Sequence, residues 1–319
     1  MAGEFRFDPM THKWVSIVGH RQARPNVPTG TANVGCPFCV GGLEAPAPYD
    51  VMWFTNRWPA FDPGEPVELA APTDLGHSTR PAVGTAEVIL FSSNHEASLG
   101  SLHPEEIRKV IDLWAERTSN LMLRPEIEYV LVFENRGAEV GATIAHPHGQ
   151  IYAFGHVPPT PAHEASISRE HGCTVCADLT AELSDGRRIV HDSDTWTAYV
   201  PFASEFPYGL RVVAKQHTAS FVSLSTEQRD GLGAVLIDVL SRYDRLWLDD
   251  PQRSEAFPYL LWFHQAPKNH RGEYHIHAHI APPQRGPGNA RFVAAGELGS
   301  GTYSNPIVPE SAATTLQAS

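Results

Sequence analysis

The stretch Ala145-His146-Pro147-His148-Gly149-Gln150 carries two imidazoles and a side-chain amide within a few positions. Side chains alternate between the two faces of an extended strand, so His146 and His148 are expected on one face and Pro147 on the other. Pro147 also favours an extended backbone at His146, and Gly149 lets an anionic ligand approach the main chain. One histidine of such a pair can bind a metal while the other reacts. The stretch therefore predicts a binding site for an anion such as a phosphate.

Length and charge restrict the class of protein. The chain has 319 residues and a formal net charge of −12 at pH 7. This length suits two domains, each with its own core. The negative charge, without a basic stripe, argues against nucleic acid or a membrane surface as the main partner. The N-terminus has no apolar signal core, and no stretch reaches the roughly 18 apolar residues of a membrane span. We expect a cytoplasmic protein that binds small molecules.

One sequence pattern occurs twice along the chain. Each copy begins with a cysteine pair and continues through an apolar strand that ends near a histidine. An amphipathic helix, a second apolar strand and a histidine-containing strand follow in both copies. The repeat predicts an α+β fold of two histidine-triad-like half-barrel domains, mostly antiparallel sheet with helices, at residues 1–166 and 167–319. The predicted helices begin at serine caps and cover 107 to about 121 and 226 to about 247, and the polar run 134–137 is expected to be a turn after the second strand.

The repeated cysteine pairs indicate metal binding before disulfides, because the chain has no secretion signal, although a redox dithiol is the rival interpretation. Each pair is followed by two histidines at similar spacing. Two thiolates and two imidazoles complete the closed four-ligand set that structural zinc prefers. The predicted ligand sets are Cys36, Cys39, His95 and His146 in the first half, and Cys173, Cys176, His217 and His275 in the second.

A different ligand set is open for the C-terminal half. Glu164, His264, His277 and His279 would form a carboxylate–imidazole set that suits zinc or iron. The cysteine set is favoured because thiolates outcompete carboxylates for zinc. Two structural zinc ions are therefore expected, with iron as the alternative metal at the second site.

Short motifs spread over most of the chain carry a family resemblance. They are Arg21-Gln-Ala-Arg24-Pro, the first cysteine pair, Phe54-Thr-Asn56, Asn94-His95, Phe133-Glu-Asn135, His146-Pro-His-Gly-Gln150, His264-Gln-Ala-Pro, His275-Ile-His-Ala-His279, and Arg291-Phe-Val with Glu297. In these motifs the sequence resembles the galactose-1-phosphate uridylyltransferase family, a branch of the histidine-triad superfamily. The resemblance implies two half-barrels in one subunit, a homodimer, and a covalent nucleotidyl-histidine intermediate.

The resemblance also implies roles for individual residues. His148 would be the nucleophile, and Gln150 would steady the bound phosphoryl group. Contacts to nucleotide or phosphate would come from Arg21, Arg24, Asn56, Asn135 and Thr143, and contacts near the sugar from Arg291, Phe292 and Glu297. Two positions depart from the family pattern. Tyr303 stands where some members use a glutamine on the hexose, and the second cysteine pair matches a zinc-only branch that includes adenylyl-transferring phosphorylases.

The reaction implied is that of a UDP-glucose–hexose-1-phosphate uridylyltransferase of galactose metabolism. Such an enzyme moves UMP from UDP-glucose to galactose 1-phosphate in two steps through the histidine. A neutral imidazole suits this role, since it is nucleophilic near pH 7 and leaves readily once phosphorylated. Two alternatives stay open. One is a nucleotide-sugar phosphorylase or nucleotide hydrolase that uses the same histidine, and the other is a non-enzymatic zinc-ribbon adaptor.

Overall fold

A computed structural model of the protein describes residues 3–19, 35–61, 70, 75–253, 256–270, 272 and 274–319. Its largest element is a nine-stranded sheet, accompanied by a three-stranded sheet and a short hairpin, and all strand pairs are antiparallel. The strands are β1 (Glu4–Asp8), β2 (Lys13–Ile17), β3 (Met52–Thr55), β4 (Ser78–Pro81), β5 (Gly84–Leu90), β6 (Tyr129–Arg136), β7 (His148–Phe154), β8 (Ile189–Asp192), β9 (Trp196–Tyr199), β10 (Leu210–Ala214), β11 (Tyr259–His264), β12 (His277–Ala281), β13 (Gln284–Gly286) and β14 (Asn289–Ala290). The helices are α1 (Pro104–Met122), α2 (Pro159–His171), α3 (Thr174–Asp185), α4 (Thr226–Arg245), α5 (Ala295–Ser300) and α6 (Pro309–Ala318).

The nine-stranded sheet contains one unit twice. Its strand order is β3-β5-β7-β6-β11-β12-β10-β9-β8. The first half supplies β3, β5, α1, β6 and β7, and the second supplies β9, β10, α4, β11 and β12 in the same sequence. The two units meet at the β6–β11 pair, where Phe133 lies opposite Trp262. The α+β class and the internal duplication predicted from the sequence are confirmed, and the two units form one continuous sheet.

Helices α1 and α4 begin with related end structures. At α4, Ser225 is the N-cap, and its hydroxyl accepts the N–H of Gln228 while the Gln228 side chain accepts the Ser225 N–H. This start is the one predicted. At α1 the N-cap is His103, whose N–H is accepted by Glu106, so the predicted serine cap is wrong there. Ser101 belongs to the preceding turn, because Pro104 fits only the first turn of the helix, where its missing N–H is not needed.

The main core lies between one face of the sheet and helices α1 and α4. Trp114 of α1 contacts the ring of Phe263 of β11 at 5.4 Å, so the core crosses the boundary between the two halves. Each large side chain buried there contributes about 1.5–3 kcal/mol. The two helices approach closely at Gly233, where an added Cβ would lie 2.9 Å from Ile107 Cγ2. Glycine is needed at this crossing for that reason.

Strand β6 extends further than the sequence predicted. The run Glu134-Asn135-Arg136, expected as a turn, continues the strand because it pairs with β11. Glu134 is buried and accepts a hydrogen bond from the Tyr259 hydroxyl at 3.0 Å. Its burial raises the pKa of Glu134 to about 7. The polar residues of this segment therefore belong to the seam between the halves.

Two groups of described residues pack on the second face of the nine-stranded sheet. The loop that contains the first cysteine pair packs Phe38 on the β3–β5 end, and α2 and α3 pack on strands β11 to β9. Gln150, Phe133 and Trp262 lie between these groups and are partly exposed. We call this partly exposed region the open face. Helix α2 spans the predicted domain boundary between residues 166 and 167, which stays a prediction. Among the described residues, no helix is long and apolar enough to cross a membrane.

Candidate active site and metal centres

His148 begins β7 and turns its ring towards the open face. Its Nδ1–H donates a hydrogen bond of 2.8 Å to the main-chain oxygen of His146. This bond assigns the lone pair of the neutral ring to Nε2, the atom that can attack a phosphorus. Phe38, from the middle of the first cysteine pair, contacts the His148 ring at 5.1 Å. The ring is thus fixed in tautomer and position by its neighbours.

His146 lies in a bend just before β7, so the expected extended backbone begins two residues later than predicted. His146 is only 1% exposed and faces the cysteine loop. Gly149 serves packing, because an added Cβ would lie 2.6 Å from the Phe91 ring on the opposite face. The space beside its α-carbon is therefore filled by Phe91, and the sequence-based role of Gly149 as an opening for an anion is not supported on that side.

Gln150 lies on the open face, one residue beyond Gly149, and its side chain is oriented by Asn56. The Asn56 amide nitrogen donates to Gln150 Oε1 at 3.4 Å, and Asn56 Oδ1 accepts the Trp58 N–H at 2.9 Å. Because its oxygen is engaged in this way, Gln150 has its own amide N–H groups to offer a ligand. The structure thus brings Gln150 and Asn56 together, and the roles that the resemblance implies for them stay predictions.

The first predicted metal set is assembled. Cys36, Cys39, His95 and His146 each place one donor atom within 4.8 Å of the others. His95 Nδ1 lies 3.4 Å from Cys39 Sγ and 3.4 Å from His146 Nδ1. A tetrahedral zinc ion with bonds of about 2.0–2.3 Å requires donor separations of roughly 3.3–3.8 Å. The geometry therefore fits a metal ion of this kind.

The surroundings of this cluster also suit a cation. Burial lowers the pKa of His146 to about 4, which keeps the ring in the neutral form that binds metals. The other nitrogen of His146 is 2.8 Å from the main-chain oxygen of Ser92, as is usual for a metal-binding histidine. Burial raises the pKa of Cys39, so a nearby positive charge is needed to hold its thiolate.

The second cysteine set is assembled in the same way. Cys173, Cys176, His217 and His275 place their donor atoms within 4.8 Å of one another. Cys176 Sγ is 3.4 Å from His217 Nδ1 and 3.3 Å from His275 Nδ1. Cys173 is the N-cap of α3 and accepts the N–H of Cys176 at 3.4 Å. The two copies of the repeat thus form matching clusters.

The alternative carboxylate–imidazole set of the C-terminal half is also assembled. Glu164, His264, His277 and His279 also lie within 4.8 Å of one another by their donor atoms. Glu164 Oε1 accepts from His264 Nδ1 at 2.9 Å, and this bond lowers the pKa of Glu164 to about 2 although burial opposes the shift. The two sets share no residue and both are assembled, so the choice of ligand set posed by the sequence stays open.

His277 repeats the environment of His148 at the matching place in the second half. Its Nδ1–H donates to the main-chain oxygen of His275 at 2.8 Å, as that of His148 does to His146. His277 Nε2, however, lies 3.9 Å from Glu164 Oε2 and is buried. The second half therefore retains the imidazole but places it against a carboxylate.

The remaining predicted residues fall into three groups. Arg21 and Arg24 lie outside the described residues. Asn135 lies on the open face two positions beyond Phe133, which is paired with Gln150, and Thr143 is half-buried in the loop before His146. Arg291 pairs with Glu297 at 2.7 Å, and Phe292 is 81% exposed.

The Arg291 segment lies far from His148 within one chain. The Arg291 guanidinium lies 4.9 Å from the Phe206 ring and 5.6 Å from the Tyr303 ring. Phe206 precedes β10, which is four strand spacings from β7, or roughly 19 Å. The predicted sugar contacts are therefore separated from the predicted nucleophile.

Two residues that shape the site were missed from the sequence. Tyr49 places its hydroxyl 2.8 Å from His146 Nε2 and also bonds the Phe38 carbonyl. Nothing in the local sequence marks Tyr49, because its partner lies 97 residues away. Phe38 could have been found, since its position between Cys36 and Cys39 puts it beside any ligand of that cluster.

Comparison with known proteins agrees with this arrangement. Family models of the N-terminal and C-terminal domains of galactose-1-phosphate uridyl transferase match residues 2–158 and 152–318. A galactose-1-phosphate uridylyltransferase of Thermotoga maritima is 33% identical, with 98% of each chain covered. An ADP-glucose phosphorylase of Arabidopsis thaliana is 25% identical, covering 98% of this chain and 92% of its own. A solved uridylyltransferase structure, 29% identical, superposes with a TM-score of 0.85 over 99% of this chain and 97% of its own.

Proposed function

Because this chain belongs to the galactose-1-phosphate uridyl transferase family, we propose that it moves UMP from UDP-glucose to galactose 1-phosphate through His148. The observation that carries the assignment is the hydrogen bond from His148 Nδ1 to the His146 oxygen. It leaves Nε2 as the nucleophile and supports the charge that develops on the ring when Nε2 bonds to phosphorus.

The first half of the reaction forms a nucleotidyl-histidine. His148 Nε2 attacks the α-phosphorus of UDP-glucose, the N–P bond forms, and the bond to the bridging oxygen breaks. Glucose 1-phosphate leaves with the electron pair as an oxyanion, so no proton has to be supplied. The Gln150 amide donates hydrogen bonds to the phosphoryl oxygens as their charge increases, and Asn56 holds that amide in the donating direction.

The second half reverses these steps with a different sugar. A phosphate oxygen of galactose 1-phosphate attacks the phosphorus, the N–P bond breaks, and the electron pair returns to Nε2. UDP-galactose is released and the neutral imidazole is restored. The family resemblance assigns Arg21, Arg24, Asn135 and Thr143 to the nucleotide and phosphate, which are common to both halves of the reaction.

We assign one zinc ion to each of the two cysteine–histidine clusters, with iron as an alternative metal in the C-terminal half. Cys36, Cys39, His95 and His146 would hold the first ion. When bound, such an ion contributes folding free energy. His146 contributes to the reaction through its main-chain oxygen, and the ring of the same residue is held in the cluster.

We further propose that the active form is a homodimer that works in the cytoplasm. The separation of roughly 19 Å between β7 and β10 supports a dimer. Arg291, Phe292 and Glu297 could act on the sugar if they reached the His148 of a second copy. The exposed Phe292 side chain is available for such a contact. Residues 1–166 and 167–319 remain our assignment of the two domains.

A second candidate function is a nucleotide-sugar phosphorylase. The assembled cluster of Cys173, Cys176, His217 and His275 favours it, because the resemblance matches this second cysteine pair to a zinc-only branch that includes adenylyl-transferring phosphorylases. In this alternative His148 takes AMP from ADP-glucose, and inorganic phosphate is the acceptor.

One experiment separates these possibilities. Purified protein is mixed with UDP-glucose or ADP-glucose labelled at the α-phosphorus, and the protein is then tested for covalent label. We expect stoichiometric label from UDP-glucose, none in His148→Gln, and full label in His163→Gln, which changes an exposed histidine of α2. Galactose 1-phosphate, phosphate or water is then added to find which acceptor removes the label. Label retained in His148→Gln would contradict the proposal.

A further inference from the structure

We propose that Trp262 forms part of the sugar-binding surface and influences which sugar 1-phosphate is accepted. This inference rests on the function proposed above and extends it to a residue of the second half. Trp262 lies on β11, at the centre of the nine-stranded sheet, and its side chain is partly exposed on the open face. Its neighbour Phe263 points to the opposite face and is completely buried.

The position of Trp262 relative to the reacting histidine follows from strand register. Trp262 is paired with Phe133, and Phe133 is paired with Gln150. Two strand spacings therefore separate Trp262 from Gln150, or roughly 10 Å. A molecule that contains a nucleoside, two phosphates and a hexose spans this distance easily. The indole is thus within reach of a substrate whose α-phosphorus lies at His148.

The orientation of the indole is fixed by the second half. Its ring is stacked on His279 of the neighbouring strand β12, with 4.9 Å between centroids and 6° between planes. One indole face is covered by this stack, so the other face is turned towards β6 and Gln150. The Phe133 ring makes its edge contact with Tyr152 instead, at 4.8 Å. The indole also makes a tilted ring contact with His264 of its own strand, with 6.4 Å between centroids.

The position of Trp262 relative to Gln150 indicates that the indole would contact the sugar of the substrate and not its nucleoside. Asn56, assigned to the nucleotide, approaches Gln150 from the β3 side of the sheet. Trp262 lies on the β11 side. A nucleotide sugar with its phosphorus at His148 would then direct its nucleoside towards Asn56 and its hexose towards Trp262. A pyranose has flat C–H faces that pack on an apolar ring, and the indole N–H can donate to a hydroxyl.

The test uses Trp262→Ala, Trp262→Phe and, as a matched control, Trp247→Phe in the turn just after α4. Trp247 packs on Tyr208 and Phe257, away from the open face. We expect Trp262→Ala to raise KM for galactose 1-phosphate about tenfold, or ~1.4 kcal/mol. Trp262→Phe, which keeps an aromatic face, should recover most of this loss. The Kd of UMP should stay unchanged in all three variants.

A binding measurement tests the same inference without turnover. Intrinsic fluorescence is followed while glucose 1-phosphate, UMP or inorganic phosphate is added to each protein. We expect glucose 1-phosphate to change the emission of wild type and of Trp247→Phe but not that of Trp262→Phe. A change that persists in Trp262→Phe, or equal weakening of UMP and sugar phosphate in Trp262→Ala, would overturn the inference. If His148 took no label, the proposed reaction would be contradicted. The binding measurement would still test the role of Trp262, because it does not depend on turnover.

Discussion

The direction of one amide decides what Gln150 can do. Asn56 Oδ1 is engaged by the Trp58 N–H, so the Asn56 amide nitrogen must face Gln150. Asn56→Asp keeps the acceptor for Trp58 and removes the donor to Gln150. We expect kcat to fall at least about tenfold, since Gln150 then loses the contact that directs its N–H groups to the phosphoryl oxygens. Steady-state kinetics of uridylyl transfer measure this effect. The control is Asn289→Asp on the exposed hairpin, and equal kcat values for the two variants would refute the role of Asn56.

His156 makes stability depend on pH at a place remote from the metal ligands. It lies edge-on to Phe5 at 5.0 Å, and burial, with the nearby Arg80 charge, lowers the pKa of His156 to about 4. In the unfolded chain His156 has a pKa near 6.5 and binds a proton more readily than in the folded protein. The folded state therefore loses stability as the pH falls from about 6.5 towards 4. When the pH is lowered from 7 to 5.5, the free energy of unfolding should decrease by about 1 kcal/mol less in His156→Gln than in wild type. Urea unfolding at both pH values provides the measurement. His163→Gln should behave as wild type, and an unchanged pH slope in His156→Gln would contradict the assignment.

At the scale of elements, local patterns predicted most of the repeated unit. Strand β10 has the predicted bounds Leu210–Ala214, and α4 begins after Ser225 as expected, because both depend on neighbouring residues alone. The predicted end of β6 was wrong because the extension of this strand depends on pairing with β11, which lies more than a hundred residues away in the chain.

In the candidate site, too, features that depend on local sequence were predictable and features that depend on distant contacts were not. Each cysteine–histidine cluster was predictable because its spacing is repeated in the chain. The presence of both the Glu164 cluster and the second cysteine set was not predictable, since the two sets can be distinguished only once α2 and β12 are placed in space. Tyr49 was missed for a similar reason, because its partner His146 lies 97 residues away in the chain.

The two neighbouring clusters of the second half lead to opposite expectations for two substitutions. Cys176→Ser should release about one equivalent of zinc, because it removes a thiolate, and Glu164→Gln should leave that zinc in place. Activity of Cys176→Ser at low temperature should stay within about tenfold of wild type, or ~1.4 kcal/mol, because the cluster lies in the half without His148. Metal analysis of each purified protein measures the content. Zinc loss only in Glu164→Gln would show that the cysteine set was wrongly chosen.

The matching change in the first half is Cys36→Ser. It should also release about one equivalent of zinc, but activity should fall strongly, because His146 holds the hydrogen bond of His148. Metal content and covalent labelling of His148 are measured on the same sample. Unchanged metal content would remove Cys36 from the ligand set, and full labelling after zinc loss would separate the cluster from the nucleophile.

For the whole molecule, the continuous core predicts that the halves unfold together. The β6–β11 pair joins the two halves of the nine-stranded sheet, and one apolar cluster contains Trp114 of the first half and Phe263 of the second. We expect a single heat-absorption peak in scanning calorimetry. Cys36→Ser and Cys176→Ser should both shift that peak to lower temperature. Two separate peaks, each moved by only one substitution, would show that the halves are independent.

The matched hydrogen bonds of His148 and His277 have a consequence for inheritance. A symmetric protein made from two identical short chains must carry every substitution in both copies, so neither copy can give up catalysis. Joining the copies in one gene removes that constraint. One copy here has an imidazole on the open face, while the imidazole of the other lies against Glu164. Fusion thus made it possible for two descendants of one ancestral sequence to specialise side by side, and random change in the second copy could be tolerated while the first preserved the reaction.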